Sequence, residues 1–137
     1  MVWNLFAQAE KEFMSDNEKL KHGIIQEFGT PCAVVDLDIV ERNIAHLQAL
    51  CNKAKLANRP HIKTHKSPLL ALWQMEAGAI GVTCQKLGEA EVMVQAGIKD
   101  ILIATNIIGA AKSGKLAALL RDVSLKVCAD NPISLKA

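Results

Sequence analysis

Apolar and polar positions follow a repeating order along most of this chain: a short apolar run, then a longer stretch with apolar residues at helical spacing. After Gly29-Thr30-Pro31, the run CAVVD at 32–36 is a strand candidate. Asp38 and Glu41 form an acidic version of the capping box. Val40, Ile44, Leu47, Leu50 and Cys51 then recur at helical spacing, which predicts a helix over 39–56. The PHIK run near residue 59 reads as extended. Ser67-Pro68 reads as an N-cap followed by proline in the first turn, opening a helix through LLALWQMEA that Gly78 stops. IGVTC is the next strand and GEAEVMVQA the next helix, ended by Gly97. DILIA follows as a strand, 110–121 as a helix weakened by Gly114, and SLKVCA as a fifth strand. Asp130-Asn131-Pro132 opens one more helix. Ahead of all this, residues 4–22 are polar with sparse anchors (Leu5, Phe6, Phe13, Met14, Leu20), and residues 1–30 read as a helical lead-in.

Buried, non-alternating strands that alternate with helices predict a parallel sheet with helices outside it. The strands start near 32, 59, 79, 100 and 124, and no linker or low-complexity segment interrupts them, so residues 31–137 read as one α/β domain. A doubly wound sheet and a (β/α)8 barrel both fit that pattern.

Composition narrows the function. The chain has 137 residues, half of them hydrophobic, and a net charge of only +2. Scattered basic residues and few aromatics exclude a dedicated nucleic-acid surface. No apolar run reaches the roughly 20 residues of a membrane span, and the start is not a signal peptide. Cys32, Cys51, Cys84 and Cys128 contain no C-x-x-C pair and read as small buried thiols, which suits a reducing, cytoplasmic setting.

The densest polar cluster is Arg59-Pro60-His61-Ile62-Lys63-Thr64-His65-Lys66. If 59–65 is extended, Arg59, His61, Lys63 and His65 share one face. Such a row on a buried strand is costly without a purpose, but it suits the C-terminal rim of a barrel, where active sites lie. A lysine crowded by donors and partly desolvated loses its proton more easily, and a neutral amine attacks an aldehyde to form a Schiff base. A solvated basic loop is the other reading of the same residues.

Beyond periodicity, the run RPHIKTHKSPLLALWQMEAGAIGVTCQKLGEAEVMVQAGIKDILI closely resembles the D-threonine aldolase and D-serine dehydratase family. These are fold-type III enzymes that use pyridoxal 5'-phosphate and are related to alanine racemase. R-P-H-x-K-T-H-K at 59–66 and C-Q-K-x-x-E-A-E at 84–91 are specific in combination, and TPCAVVDLDIVERNI resembles the family's opening T-P-x-x-x-x-D-L-D element. The resemblance covers residues 30–132. It implies the N-terminal part of an alanine-racemase-like (β/α)8 barrel, with PHIK, IGVTC, DILIA and SLKVCA as four of its eight strands. The opening strand would join a C-terminal β-domain that this chain lacks. Because such a barrel takes about 250 residues, the chain is expected to be truncated.

By the same resemblance Lys63 forms the Schiff base with pyridoxal 5'-phosphate and moves protons at the substrate's α-carbon. His61 and His65 would flank it, and Gln85 and Asn106 would contact the cofactor from the same rim, although a strand-terminal amide is equally a simple cap. Glu89 and Glu91 read as residues that favour the positive end of a helix. The implied activity is that of a lyase acting on D-β-hydroxy-α-amino acids in the full-length parent. Aldol cleavage of Cα–Cβ is preferred over dehydration to a 2-oxo acid and ammonia, and a non-enzymatic cofactor carrier on the same barrel is the alternative outside enzymes. A divalent metal in the parent would take its ligands from outside this chain. The partners expected are a small D-amino acid and a second copy of the chain, by homodimer or self-association, with no nucleic acid and no membrane.

Two motifs invite other readings. Gly109-Ala110-Ala111-Lys112-Ser113-Gly114-Lys115-Leu116 nearly spells a phosphate-binding P-loop, but Leu116 stands where a hydroxyl must hold Mg²⁺. His61 and His65, spaced H-x3-H, would suit a metal only on one helical face.

Overall fold

The computed structural model describes residues 15–121 and 123–136. The chain divides into two compact units, Met1–Asp36 and Leu37–Ala137.

In the first unit, helix α1 (Asp16–Phe28) begins with a capping box: Ser15 Oγ accepts from Glu18 N–H, and Glu18 Oε2 accepts from Ser15 N–H at 2.9 Å. The helical lead-in therefore exists but sits later than 4–22, and its first anchors lie outside the described residues. The expected strand at 32–36 does not form. Val34 and Val35 are exposed, and β-rich composition makes a strand only where a neighbour satisfies its N–H and C=O groups.

The second unit opens with α2 (Leu37–Lys53), which includes Asp38 in its first turn, so the expected Asp38–Glu41 capping box is not made. Of the predicted apolar face, Val40, Ile44 and Cys51 are half-buried, while Leu47 and Leu50 stay exposed. Its one buried residue is polar. Gln48 donates to Asn52 Oδ1 at 2.9 Å and accepts from Asn58 Nδ2 at 3.0 Å, so burial leaves neither end of the amide unmet.

Helix α3 (Pro68–Glu76) starts as predicted, with Ser67 Oγ accepting from Leu70 N–H, and Gly78 follows it at φ 116°. Strand β1 (Val82–Cys84), helix α4 (Leu87–Gln95), strand β2 (Asp100–Ile103), helix α5 (Ala110–Leu119), strand β3 (Ser124–Val127) and helix α6 (Pro132–Lys136) complete the unit. The three strands are parallel in chain order, with Thr83 opposite Leu102 and Ile101 opposite Leu125. Residues 59–65 contribute a single parallel bridge, His61 to Thr83, where a full strand was expected.

The core gathers Ile62, Ala71, Val82, Cys84, Leu87, Ala90, Met93, Ile98, Ile101, Ile103 and Ile107. α4 packs on β1, β2 and both flanking helices α3 and α5. Only β1 is buried along its whole length. β2 alternates, and β3 is largely exposed, so uniformly buried strands are found only at β1. Of the four cysteines, Cys84 is buried, Cys51 half-buried, and Cys32 and Cys128 are exposed, because the runs that hold the last two are not covered. Among the described residues no helix is long and apolar enough to cross a membrane.

The starting end of the sheet is held by charge. Arg59 Nη1 lies 2.8 Å from Asp100 Oδ1, and Lys126 Nζ lies 2.7 Å from the same oxygen. Hydrogen bonds from Arg59 and then Lys126 hold the Asp100 carboxyl below its ordinary range, although burial opposes them. Arg59 reaches Asp100 across Gly81, where an added Cβ would overlap both Arg59 Nη1 and the Asp100 carbonyl oxygen. Arg59, expected beside Lys63, is thus a structural residue. Gly81→Ala should displace this guanidinium and destabilise the fold by about 2 kcal/mol or more, the scale of a lost hydrogen bond to a charged group. Urea denaturation of the two proteins measures it, and an unchanged midpoint would refute the close approach.

Candidate functional site at the C-terminal end of the sheet

Ile62 is fully buried, and its N–H donates to the Thr83 carbonyl at 2.9 Å, while Pro60 accepts from Thr83 N–H at 2.7 Å. After His61 the chain leaves the extended direction. Residues 62–65 form a turn closed by Lys66 N–H to the Ile62 carbonyl at 2.8 Å, and Lys66 lies in the left-handed region at φ 51°. The expected single face for Arg59, His61, Lys63 and His65 is therefore not formed. The next ladder bond would run from Gln85 N–H to the Ile62 carbonyl, but Lys66 N–H takes that carbonyl and Glu89 Oε2 takes Gln85 N–H, while His61 Nδ1 accepts from Lys63 N–H at 3.2 Å and His65 Nδ1 from Ser67 N–H at 3.1 Å within the turn. Such local side-chain acceptors stabilise a turn at the expense of a strand ladder. The turn leaves Lys63 exposed, and among the described residues its amine makes no ion pair.

His65 is half-buried. Burial pushes its imidazole below the ordinary histidine range, against the raising effect of Gln74 and of the Ser67 main chain. Its Nε2 and Gln74 Oε1 are both buried without a hydrogen bond of good geometry, so Gln74 acts on the ring as a weak partner only.

The next strand ends beside this turn. Gln85 directly follows β1 and donates its main-chain N–H to Glu89 Oε2 at 2.8 Å. Glu89 Oε1 faces Lys66 Nζ at 3.6 Å. Burial pushes the Glu89 carboxyl up, but the bonds and charges of Gln85, Lys66 and Lys86 outweigh it and hold the carboxyl low. Burial, and secondarily Glu89, push the Cys84 thiol up to about 12, so that thiol stays protonated near neutrality.

Gln85 and Asn106 come together in one cleft of about 590 Å³, beyond the ends of β1 and β2. The Asn106 side chain is also the leading cause that holds the Asp130 carboxyl, after β3, below its ordinary range. Lys63, His61 and His65 do not line this cleft, which divides the five expected residues into two groups. Thr105, Lys86, Lys112 and Lys115 line it and were not singled out as binding residues. Their signal was positional, since Lys86 and Thr105 lie two residues past β1 and β2, and Lys112 and Lys115 lie three residues apart on one helix. The P-loop look-alike is helical from Ala110 onward, so the residues between Gly109 and Gly114 do not form the wrapped loop of that motif. Among the described residues no three His, Cys, Asp or Glu side chains converge on a metal position.

No family model matches the chain. It is 43% identical over 106 residues to a D-threonine aldolase of Arthrobacter sp., covering 77% of this chain and 28% of that enzyme. It is 39% identical over 108 residues to a D-threo-3-hydroxyaspartate dehydratase of Delftia sp. (strain HT23), covering 79% of this chain and 28% of that enzyme. The crystal structure of D-threonine aldolase from Filomicrobium marinum matches with a TM-score of 0.76 at 41% identity, over 78% of this chain and 29% of that one. The chain thus spans little more than a quarter of the length of these relatives. Its homologues are the lyases that the motifs pointed to, and its α/β fold is that of the N-terminal domain of D-threonine aldolase.

The His65 environment carries a pH dependence whose sign follows from linkage. A histidine with a depressed folded pKa stabilises the neutral state, so its contribution is complete above 6.5 and is lost as pH falls through the folded value. Stability should decline from about pH 6.5 downward, and His65→Asn, which keeps an acceptor for Ser67 N–H, should remove that part of the decline. Denaturant midpoints at pH 7.5 and 5.5 decide it, and an identical slope in both proteins would be the contrary result.

Proposed function

From homology to lyases of D-β-hydroxy-α-amino acids, we propose that this chain is the lysine-bearing part of a pyridoxal-phosphate-dependent aldolase of the D-threonine aldolase kind. Its three parallel strands and the His61 bridge would belong to a (β/α)8 barrel completed by further chain. The observation that carries the reading is Lys63: an exposed amine, without an ion pair among the described residues, on a turn bonded to β1 at the same end of the sheet as Gln85 and the cleft. These residues fit the cofactor's chemistry, since a carbonyl group needs an unencumbered amine with neutral donors and acceptors beside it.

When bound, the cofactor supplies an electron sink for the charge left on the α-carbon. Lys63 would hold the cofactor and carry a proton to or from the α-carbon. His61, whose Nδ1 accepts from Lys63 N–H, has its Nε2–H left to donate. His65, its pKa depressed, would line the site as a neutral ring. Gln85 and Asn106 offer amides to polar groups of cofactor or substrate. A divalent metal, if the parent uses one, would draw ligands from outside this chain. The dehydratase of Delftia sp., at 39% identity, supports a second reading in which the β-hydroxyl leaves as water. A cytoplasmic setting belongs to the proposal as well, and what supports it is four cysteines with no C-x-x-C pair.

Two outcomes test this. In a full-length protein carrying this segment, Lys63→Ala should abolish cleavage of D-threonine and borohydride-fixed attachment of the cofactor, while Lys66→Ala should keep the attachment. Peptide mass mapping reads it, and a fixed adduct surviving in the Lys63 variant would end the assignment. The 137-residue chain alone should self-associate and retain little cofactor, because β3 leaves Val127 exposed and α6 leaves Leu135 exposed. Size-exclusion chromatography with pyridoxal 5'-phosphate present checks this, and a monodisperse monomer holding one cofactor per chain would contradict it.

A further inference from the structure

Lys63 and Lys66 are amines on one turn, three residues apart and both exposed. An aldehyde arriving at this turn has two nucleophiles to choose from. The side chains differ in one respect, and Glu89 is its source. The Glu89 side chain is only 9% exposed. Its Oε2 is satisfied by Gln85 N–H, whereas its Oε1 is buried with no hydrogen bond and has Lys66 Nζ as its ion-pair partner at 3.6 Å. Lys86 lines the same small pocket, but among the described residues its amine forms no ion pair with Glu89.

We infer that Glu89 selects between the two amines, withholding Lys66 from carbonyl compounds and leaving Lys63 as the reactive one. This rests on the reading of Lys63 as the cofactor lysine. The physical reason is desolvation. To react, a lysine must release its ammonium proton to solvent, and its nitrogen then bonds the carbonyl carbon as the carbonyl oxygen departs as water. If Lys66 did so, a buried carboxylate oxygen would lose its ion-pair partner, and leaving a buried charge unpaired is strongly unfavourable. Lys63 carries no such linkage. Glu89 is therefore a positioning residue, acting on the choice of nucleophile through Lys66 and through the main chain of Gln85.

The test labels the 137-residue chain with pyridoxal 5'-phosphate and sodium borohydride, then quantifies the fixed label at Lys63, Lys66 and the exposed control Lys99 by peptide mass spectrometry. In the wild-type chain, label at Lys63 should exceed that at Lys66 several-fold. Glu89→Gln keeps an acceptor for Gln85 N–H but removes the charge, and it should raise label at Lys66 relative to Lys99 several-fold. A rise at all three lysines together would mean that the variant has unfolded, and Glu89→Asp, which keeps the charge at shorter reach, then decides: raised Lys66 label relative to Lys99 supports the inference, and unchanged Lys66 label defeats it. Unchanged label at Lys66 in a folded Glu89→Gln chain overturns the inference directly. If wild-type Lys63 is labelled no more than Lys99, the reading of Lys63 fails, while the response of Lys66 to Glu89→Gln still reports separately on Glu89.

Discussion

Thr83 commits both of its main-chain groups to the segment that precedes the reactive turn, donating to Pro60 and accepting from Ile62. Between those two bonds lies His61, and beyond them lies Ile62 with no exposed surface. Lys63 follows Ile62 directly, so its location is set by a neighbour that can neither slide nor rotate without breaking the ladder and emptying part of the core. Proline has no N–H, so residue 60 enters the pairing only as an acceptor. With the Ile62 carbonyl taken by Lys66 N–H and Gln85 N–H taken by Glu89 Oε2, the pairing stops after one bridge. A short attachment to a buried strand, followed at once by a turn, presents an amine to solvent from a rigid base.

Parallel strands all finish at the same end, and the molecule uses its two ends differently. At the starting end, Arg59, Asp100 and Lys126 form a charge network over Gly81 that ties three successive segments together. At the finishing end, charge is arranged around loops: Glu89 joins the turn holding Lys63 to the loop after β1. Ligand sites in parallel α/β folds lie at the finishing end because loops there can vary while the sheet stays fixed. The positions of the basic residues here follow that division.

Glu89 belongs to both descriptions. As an acidic residue in the first turn of α4 it favours the positive end of the helix, and that alone accounts for its presence in a helical pattern. Its burial and its contact with Lys66 are facts of packing. A carboxylate held charged in a confined place must keep its partners, and those partners are the two loops nearest Lys63.

Periodicity, caps and stop signals determined the order of elements from residue 67 onward, because a proline after serine, a glycine in the left-handed region and a buried apolar run each act over a few residues. Motif content likewise pointed to Lys63 and to the lyases. Tertiary structure decided what depended on distant neighbours. The run at 32–36 has strand composition, but among the described residues no strand pairs with it. Residues 59–65 became a bridge and a turn because Lys66 and Glu89 take the main-chain groups that would have extended the ladder. Arg59 left the reactive cluster because Asp100, distant in sequence, offers it a closer charge. Cys32 and Cys128 are exposed because apolar neighbours in sequence do not ensure cover in space. Local pattern specifies local conformation, whereas burial, charge pairing and the gathering of Gln85 with Asn106 require chain segments that only folding brings together.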